Sequence, residues 1–571
     1  MHIFPTWWRQ YQPGNLKSDL VAGLLVTILV LPQSLAYALL AGLPPQMGLL
    51  ASTLPVLAYA LVGSSLTQAV GPVAITSIMT LSVLSPLGIP GTSHYFAMST
   101  TLALMSGLLV LAFGVLRLGF LSNLLSRPVI GGFISGSALL ILLSQIKLLL
   151  GIQVHASSSW GLLVSTLEQL PQTNLRTAFI GLLGMLILLL SRIFLARQLV
   201  LRGVSSSRAE MTARLIPLLV VVVATFSVVA LDLDRAYGVL VVGHVDVGLN
   251  DLLPHVPGFS ELGMLIAPAF VMAFIGAVQN ITMAQALAMK RHERTDPNKE
   301  LMGLGVSNVV ASFVGGMPVG GGLSRSAVNV ASGAQTPLAS IVSAAFMLLI
   351  MLVGTSWFSR MPLAILAASI MVAAISMIDL PGLRRAWNYD RADGYAFIGT
   401  ALGVLVLGLQ MGIMLGILWS IANLLYRASK PHIAVVGRIV GTEHFRNVER
   451  HGVETLPGVL FLRIDESLFF GNLSAIESRV IGEIAKRPGT HDVVLIMSAV
   501  NQVDLTAVEA LTDLIQDLKG ACIEVHMAEV KGPVQDRMLH TELWSSLSGR
   551  IHLSVNEAFE ALKTTFWSPT I

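Results

Sequence analysis

Long apolar runs alternate with short polar stretches along the chain up to about residue 430. Most of these runs approach the roughly 20 residues that a helix needs to cross a bilayer. The pattern predicts spanning helices at 18–40, 47–63, 95–116, 128–150, 176–195, 212–232, 262–286, 299–314, 337–357, 361–378, 393–409 and 411–427. Two shorter elements, near 74–86 and 323–333, bring the prediction to about fourteen membrane elements.

The composition agrees with this pattern and excludes several classes of protein. Hydrophobic residues make up 54% of the chain and charged residues only 12%, with a mean hydropathy of +0.75. Because soluble proteins carry about 25% charged residues, we predict a polytopic membrane protein. The net charge of +3 is too small to indicate a nucleic-acid partner. The chain has one cysteine, Cys522, so no intrachain disulfide is expected.

The loops between the apolar runs differ in charge in a way that predicts orientation. Counted from a cytoplasmic N-terminus, the loops expected inside contain Arg117 and Arg127; Arg197, Arg202 and Arg208; Lys290, Arg291, Arg294 and Lys299; and Arg384, Arg385 and Arg391. The opposite loops at 87–94 and 151–175 contain neither lysine nor arginine. Since cytoplasmic loops are enriched in these cations, both termini are predicted to lie in the cytoplasm. The predicted location of the protein is the cell inner (plasma) membrane.

Two Gly/Pro-bounded segments interrupt the apolar runs, and we call them the first break (68–77) and the second break (315–326). Each leads from non-helical backbone into a short helix, and each belongs to the third of about seven elements in its half of the membrane region. An odd number of elements per half implies an inverted repeat. Paired breaks of this kind indicate a transporter binding site near the bilayer midplane.

The residues at the breaks favour an anion as the ligand. Both short helices would direct a helix N-terminus, with free N–H groups and a partial positive charge, towards one place. Backbone N–H groups at Val73 and Ala74, and at Leu323 and Ser324, are candidate donors. Arg325 adds a fixed cation within the membrane. The alternative is a structural arginine that satisfies unwound carbonyls or reaches the cytoplasmic surface.

Polar residues outside the breaks have functional and structural interpretations too. Gln33 and Tyr37 lie four residues apart and share one face of the first helix. They are candidates to donate hydrogen bonds to the ligand, and the alternative is that they form hydrogen bonds between helices. Lys147 is expected to extend its amine to the membrane surface. The central parts of the predicted spans contain no aspartate, glutamate or histidine, which disfavours a proton relay. No catalytic or metal-binding pattern is present in the sequence, so neither an enzyme nor a cofactor is expected.

The tail changes in composition after Lys430, so we divide the chain into a transmembrane domain, 1–430, and a cytoplasmic domain, 431–571. Strands are predicted at 459–464, 492–497 and 522–526. Helices are predicted at 473–486, 506–519, 533–540 and 555–564. Strands that alternate with helices predict a small α/β domain with one sheet.

The motifs together resemble one family. Residues 32–49 (PQSLAYALLAGLPPQMGL) resemble the first-helix signature of the SulP family of sulfate permeases and related solute-carrier anion exchangers. Residues 70–74 (VGPVA) resemble the lead-in to the family's third helix, 323–326 (LSRS) its tenth helix, and 296–301 (DPNKEL) the loop after its eighth. The tail resembles the family's STAS domain.

The resemblance implies a seven-plus-seven inverted repeat with core and gate subdomains, commonly as a homodimer, in which the core moves like an elevator. The anion would lie between the third and tenth elements. By position, the family's site corresponds here to Gln33, Tyr37, Val73, Ala74, Leu323, Ser324 and Arg325.

Two positions, Gln279 and Thr506, bear on coupling and on regulation. In the eighth helix, where the family usually carries a glutamate, this chain has Gln279, which cannot titrate and which places proton symport in doubt. In the STAS domain, Thr506 corresponds to a phosphorylatable position of related domains. The alternative for Thr506 is a helix N-cap, strengthened by Glu509 in a capping box. A cytoplasmic protein partner for this domain is also implied.

The sequence therefore predicts a secondary active anion transporter, with inorganic sulfate as the leading substrate. Bicarbonate or a C4-dicarboxylate is the second choice. An uncoupled anion channel and a signalling scaffold built on the STAS domain are alternatives from other classes. The paired breaks argue against a pure scaffold, which would not need unwound backbone at membrane depth.

Overall fold

The structure is a computed structural model that describes residues 6–9, 11–120, 126–152, 154, 159–243, 259–314, 316–353, 358–547 and 549–566. The chain forms two compact units, Met1–Ser420 and Ile421–Ile571. The predicted boundary between residues 430 and 431 stays a prediction.

The first half of the membrane unit is a series of helices that follow the predicted apolar runs. They are α1 (Thr6–Arg9), α2 (Leu16–Leu40), α3 (Pro45–Leu50), α4 (Leu54–Val62), α5 (Ala74–Leu84), α6 (Ser93–Val115), α7 (Arg127–Leu150), α8 (Ser159–Gln169), α9 (Leu175–Leu190), α10 (Ala196–Leu201), α11 (Ser206–Ala230) and α12 (Leu233–Tyr237). Short 3₁₀ turns occur at Pro13–Asn15 and Leu170–Gln172, and a π-helical turn at Ser191–Leu195 joins α9 to α10.

The second half continues in the same way. Its helices are α13 (Phe259–Arg291), α14 (Pro297–Phe313), α15 (Leu323–Ala331), α16 (Leu338–Val353), α17 (Leu363–Ile375), α18 (Leu380–Tyr389), α19 (Arg391–Leu407) and α20 (Leu409–Ser429). Every predicted span overlaps one of these helices, although residues 354–357 of the span predicted at 337–357 lie outside the described residues.

The span predicted at 47–63 is present as one candidate crossing, Pro45–Val62, with a break inside it. The run 47–63 is two helices, α3 and α4, because the chain leaves helical geometry between them at Thr53 (φ −110°, ψ −101°). Pro55, in the first turn of α4, explains the interruption: its ring and missing N–H are tolerated at a helix start but not inside a helix.

Within the described residues, seven helical segments are long and apolar enough to cross a membrane, and an eighth is counted if the bent pair Pro13–Ile28 and Val30–Leu40 is one span. The number of about fourteen membrane elements stays a prediction. The two short elements are present as α5, with 11 residues, and α15, with 9 residues. Two-residue strands precede them: β1 (Val70–Gly71) before α5 and β2 (Gly320–Gly321) before α15.

The C-terminal unit is an α/β domain with one sheet, as predicted. Its strands are β3 (Ile433–Arg438), β4 (Phe445–Asn447), β5 (Val459–Ile464), β6 (Asp492–Ile496), β7 (Glu524–Ala528) and β8 (Ile551–His552), in the order β4-β3-β5-β6-β7-β8. Strands β5 to β8 are parallel, and β3 is antiparallel to both of its neighbours. The helices of this unit are α21 (Leu473–Ala485), α22 (Leu505–Gly520), α23 (Gly532–Met538), α24 (Glu542–Ser546) and α25 (Val555–Phe566).

The sequence prediction missed β3, β4 and β8 and misplaced β7. The predicted strand 522–526 is found at Glu524–Ala528, because Cys522 adopts a left-handed conformation (φ 61°) and belongs to the turn before the strand. Strands β4 and β8 have three and two residues, which is too short for an alternating pattern to be recognised.

Candidate substrate site at the two helix breaks

The two breaks meet as an antiparallel pair of strands. Val70 of β1 is opposite Gly321 of β2, and Gly71 is opposite Gly320. The Gly322 N–H donates to the Ala69 carbonyl at 3.1 Å. This pairing satisfies part of the unwound backbone inside an apolar bundle, where unpaired N–H and C=O groups are costly. Helices α5 and α15 begin within three residues of the paired strands.

Two glycines allow the close approach. A Cβ at Gly71 would lie 1.7 Å from Nη1 of Arg325, and a Cβ at Gly321 would lie 2.5 Å from Nε2 of Gln68. A larger residue at either position would have to displace the end of the Arg325 or the Gln68 side chain. Glycine at both positions therefore leaves room for these two side chains against the backbone.

Arg325 extends from α15 to the first break. Its side chain is 5% exposed, and Nη1 donates to the Val70 carbonyl at 3.0 Å while Nη2 approaches the Pro72 carbonyl at 3.5 Å. The structural alternative weighed above, a guanidinium that satisfies unwound carbonyls, is thus part of the geometry. Yet carbonyl dipoles do not cancel a unit charge, and no described carboxylate forms an ion pair with Arg325. Its positive charge is therefore not neutralised by a described carboxylate.

The start of α5 offers donors to the same region. Val73 is the N-cap, in an extended conformation, and it has no side chain able to cap the helix. The first helical bond to it comes from the Ser77 N–H, at 3.0 Å, which leaves the N–H groups of Ala74, Ile75 and Thr76 without a partner among the described residues. Such a helix end carries about half a positive charge. Thr76 and Ser77 direct their hydroxyls to the Val73 carbonyl.

The other predicted site residues are placed as follows. Helix α2, which carries Gln33 and Tyr37, packs against α5 and α15. Tyr37 is 8% exposed and close enough to Arg325 for an electrostatic interaction, whereas Gln33 is half-buried. Gln279 of α13 directs Nε2 to the Gly321 carbonyl at 3.4 Å, on the second break. Helices α2, α5, α13 and α15 therefore surround the paired strands.

Some of the predicted site residues lie partly or wholly outside the described residues. The backbone of Leu323 and Ser324 forms the first turn of α15, after the N-cap Gly322, but their side chains lie outside the described residues. Gly315, at the start of the second break, also lies outside them. At the second helix end, the structure defines the backbone from 320 to 325 and the Arg325 side chain.

A polar network behind the breaks was missed by the sequence analysis. Ser326 accepts a hydrogen bond from the Ala69 N–H at 3.0 Å, and Asn329 donates to the Thr67 carbonyl at 3.0 Å. Asn308 holds Val319 with two bonds, of 2.9 and 3.0 Å. The available signal was the presence of asparagine and glutamine within apolar runs, where a buried amide needs partners.

Glu300 is the most important omission. It lies near the start of α14, outside the central part of any predicted span, yet it is completely buried. A second carboxylate, Asp19 in the first turn of α2, is equally buried and accepts bonds from the N–H groups of Gln335 and Thr336. Proximity to a helix end in the sequence does not imply exposure when loops pack over that end.

In the C-terminal unit, the N-cap alternative for Thr506 is wrong. The cap of α22 is Asp504, whose carboxylate accepts from the Ala507 N–H at 2.8 Å, so Thr506 lies inside the first turn and is exposed. The capping box with Glu509 is accordingly absent. Exposure leaves Thr506 accessible to modification, and its regulatory role stays a prediction.

One cluster in this unit has metal-ligand geometry, with oxygen and nitrogen atoms of Asp492, Glu524 and His526 within 4.8 Å of one another. The hydrogen bonds of His526 argue against a metal. Its Nδ1 accepts from the Arg550 N–H at 3.0 Å, so the ring proton is on Nε2, which faces Asp492 Oδ1 at 3.1 Å. A metal would need the lone pair at that nitrogen.

Comparison with known proteins finds a family match in each of the two units. Residues 16–400 match the family described as Sulfate permease family, and residues 452–558 match the STAS domain. The chain is 32% identical over 582 residues to sulfate transporter 1.2 of Arabidopsis thaliana, covering 98% of this chain and 87% of that protein. It is 31% identical over 579 residues to high affinity sulfate transporter 2 of Stylosanthes hamata, covering 98% and 86%.

Solved structures agree on the fold. The structure of SLC26A9 matches with a TM-score of 0.88 at 23% identity, covering 98% of this chain and 92% of that one. The transmembrane domain of a cyanobacterial bicarbonate transporter, BicA, matches with a TM-score of 0.58 at 22% identity, covering 72% of this chain and 98% of that one. These likenesses confirm the predicted fold class of a helical membrane domain followed by a STAS domain.

Proposed function

The chain belongs to the sulfate permease family and is a multi-pass membrane anion transporter with a STAS domain, and we propose that its substrate is inorganic sulfate, carried by alternating access. The observation that supports an anion site most directly is the buried charge of Arg325, whose partners among the described residues are carbonyls and which lies next to an uncapped helix end. An anion at the breaks would meet this charge and the free N–H groups of α5.

The amount of charge favours a divalent anion. Arg325 contributes one positive charge, and each of the two helix ends contributes about half a charge, so the site supplies roughly two. Sulfate carries two negative charges and accepts hydrogen bonds in all directions, which suits donors arriving from two helix ends and one guanidinium. The curated relatives described above are named as sulfate transporters, which supports the same choice.

In this proposal the anion lies between the N-termini of α5 and α15. The N–H groups at Val73 and Ala74, and those at Leu323 and Ser324, bind it from the two ends. Gln33 and Tyr37 bind it from α2, and Gln279 holds the second break through the Gly321 carbonyl. Bicarbonate and C4-dicarboxylates are the competing substrates, and an uncoupled channel is the competing mechanism.

Gln279 decides the expected coupling. An amide in place of a glutamate preserves the size and the hydrogen bonding but removes a group that could take up a proton at this position. We therefore propose exchange or uniport in place of proton symport. The inner-membrane location, the cytoplasmic termini, the homodimer and a cytoplasmic partner of the STAS domain stay predictions.

The test is uptake of radiolabelled sulfate into proteoliposomes that contain the purified full-length protein, with and without an inward proton gradient. We expect saturable uptake that does not respond to the gradient, and gradient-driven uptake by a Gln279→Glu variant. Unlabelled bicarbonate and C4-dicarboxylates serve as competitors. If sulfate is not taken up and one of the competitors is, the substrate assignment is wrong; uptake that never saturates would indicate a channel.

A further inference from the structure

Glu300 is a buried carboxylate that receives hydrogen bonds from three parts of the membrane unit. Its Oε1 accepts from the N–H of Ser64 at 2.9 Å, the hydroxyl of Ser64 at 2.7 Å and the N–H of Ser65 at 2.8 Å. Its Oε2 accepts from the hydroxyl of Tyr59 and from Nδ2 of Asn280, the latter at 3.3 Å. The side chain is therefore surrounded by donors from α4, from the segment after α4 and from α13.

These partners favour the ionised form of Glu300. The two backbone N–H groups can only donate, and the Ser64 hydroxyl already accepts from the Asp296 N–H at 3.0 Å. Asn280 is oriented with its amino group towards Glu300, because its Oδ1 accepts from Nε2 of Gln68 at 2.5 Å. A protonated carboxyl would have to turn its hydrogen towards a hydroxyl that now donates to it, Tyr59 or Ser64, and would lose that bond. A carboxylate that accepts several such bonds is stabilised in the charged state.

The same bonds connect Glu300 to the candidate site. Ser64 and Ser65 begin the segment that leads into the first break, and Gln68 is the first residue of that break. The Gln68–Asn280 pair lies directly beneath the second break, since a Cβ at Gly321 would be 2.5 Å from Gln68 and 2.9 Å from Asn280. Hydrogen bonds thus run from Glu300 through Asn280 to the contact between the two breaks.

Glu300 and Arg325 hold opposite ends of one segment. The carboxylate binds the backbone N–H groups at 64 and 65, and the guanidinium binds the carbonyls at 70 and 72. Each buried charge is matched to the backbone groups of the complementary polarity. Between them, the segment is fixed just before the uncapped N-terminus of α5.

We propose that Glu300 is a positioning residue of the anion site: an ionised carboxylate that fixes residues 64–72 so that the α5 N-terminus meets the anion, without carrying a proton. The proposal rests on the function proposed above for the same site. It assigns to Glu300 an effect on anion affinity, since the groups it positions are those expected to bind the anion, and it predicts no part for Glu300 in the dependence of transport on pH.

The experiment compares Glu300→Gln and Asn280→Ala with the wild type and with Glu168→Gln, a control that removes a carboxylate from an exposed position on α8. Concentration series of radiolabelled sulfate, or of whichever anion the wild type carries, give KM and maximal rate from pH 5.5 to 8. We expect Glu300→Gln to raise KM at least about tenfold with a maximal rate within about threefold, and Asn280→Ala to raise KM less.

The pH profiles are expected to have one shape in all four proteins. In a Glu300→Gln/Asn280→Ala double variant, the effects on KM should be less than additive, because both act through the same hydrogen bonds. A Glu300→Gln variant that removes a pH dependence present in the wild type would show Glu300 to be a proton carrier and would overturn the proposal. Unchanged KM in both single variants would also overturn it.

Hydrogen exchange of the full-length proteins separates this proposal from the choice of substrate. Peptides that cover residues 64–72 should lose protection in Glu300→Gln and in Asn280→Ala, while peptides from α7 and the Glu168→Gln control stay unchanged. If the wild type carried no anion, the proposed function would fail, and retained protection of 64–72 in both variants would independently refute the positioning role. Asn280→Ala keeps the Glu300 charge, so it provides the comparison if Glu300→Gln does not fold.

Discussion

The two units of the chain stabilise buried charges in opposite ways. In the membrane unit, the described buried charges are Asp19, Glu300 and Arg325. Asp19 and Glu300 accept bonds from N–H and hydroxyl groups, and Arg325 donates to carbonyls. None of the three has a described partner of opposite charge.

In the C-terminal unit, the buried charge of Glu483 is matched by other charges. Glu483, which is 3% exposed, is bound by Arg479 at 3.1 Å, by Lys486 at 2.9 Å and by Arg487. Burial alone would raise the pKa of Asp492, but hydrogen bonds from His526 and His491 outweigh burial and hold that pKa below its ordinary value. The charge of Glu483 is thereby neutralised locally, whereas Asp492 is stabilised by hydrogen bonds.

The two arrangements differ in how much net charge is left to interact with a ligand. An ion pair cancels the field of both partners, whereas dipoles stabilise a charge and leave its net value unchanged. A site that must attract an anion and then release it benefits from an arginine whose charge is not cancelled by a carboxylate. A STAS domain that has no such task is expected to gain stability from complete pairing, within the modest limits of surface ion pairs.

The strongest test of this comparison is Arg325→Ala. We expect anion transport to fall by about 100-fold or more, because truncating a buried charge contact costs about 2–5 kcal/mol. Arg325→Lys should retain part of the activity, since lysine keeps the charge but cannot reach two carbonyls with a planar fork. Initial rates of uptake in proteoliposomes measure both effects.

Size-exclusion profiles and melting temperatures in detergent control for folding of the Arg325 variants. If Arg325→Ala folds and transports at the wild-type rate, the arginine only braces the break, and the comparison between the two units loses its functional meaning. If lysine restores no activity although it folds, the bonds to the Val70 and Pro72 carbonyls matter more than the charge.

A smaller effect is expected in the C-terminal unit from Glu483→Gln. The amide cannot match three cations, but those cations are about 40–60% exposed, so solvent already screens them. We expect the unit to lose about 1 kcal/mol of stability and transport to stay unchanged. Hydrogen-exchange protection of α21 in the full-length protein measures the loss.

Glu477→Gln is the matched control for Glu483→Gln, because Glu477 is exposed on the same helix. Equal loss of protection in both variants would mean that the pairing around Glu483 contributes nothing specific. A large loss of transport in Glu483→Gln would show that charge pairing in this unit is linked to the membrane unit.

The sequence predicted the broad architecture because that architecture depends on properties that are local in the chain. Apolar runs of membrane length predicted the spans, and Gly/Pro-bounded segments predicted α5 and α15. In the C-terminal unit, β5 and β6 were recognised because each is a run of at least five residues rich in Val, Ile and Leu.

The site was only partly predictable, for a different physical reason. Arg325 could be predicted as a site residue because a charged side chain within an apolar run is costly and is visible in the sequence itself. The pairing of β1 with β2 and the role of Gln68 depend on contacts between residues more than 200 positions apart. Glu300 was missed because its burial arises from packing of the segment after α4 over the start of α14, which no periodicity records.

The smallest expected effect concerns His552, a buried histidine of the C-terminal unit whose Nε2 lacks a described hydrogen-bond partner. His552 is 4% exposed, its Nε2 has no partner among the described residues, and its Nδ1 is 4.0 Å from Glu557. Burial, and then the neighbouring His526, lower the pKa of His552, while Glu557 raises it. A lowered pKa means that the unfolded chain binds a proton at a higher pH than the folded domain does.

Stability of the C-terminal unit should therefore fall as the pH drops below the ordinary histidine pKa of about 6.5 towards the lower folded value, by less than about 1 kcal/mol. Protection of β8 and α25, corrected for intrinsic exchange, should decrease between pH 7.5 and 5.5, more strongly in Glu557→Gln and less in His552→Gln. The breaks, which contain no histidine, should keep their protection. If His552→Gln loses protection as steeply as the wild type, another group is responsible, and the unpaired imidazole is tolerated without any dependence on pH.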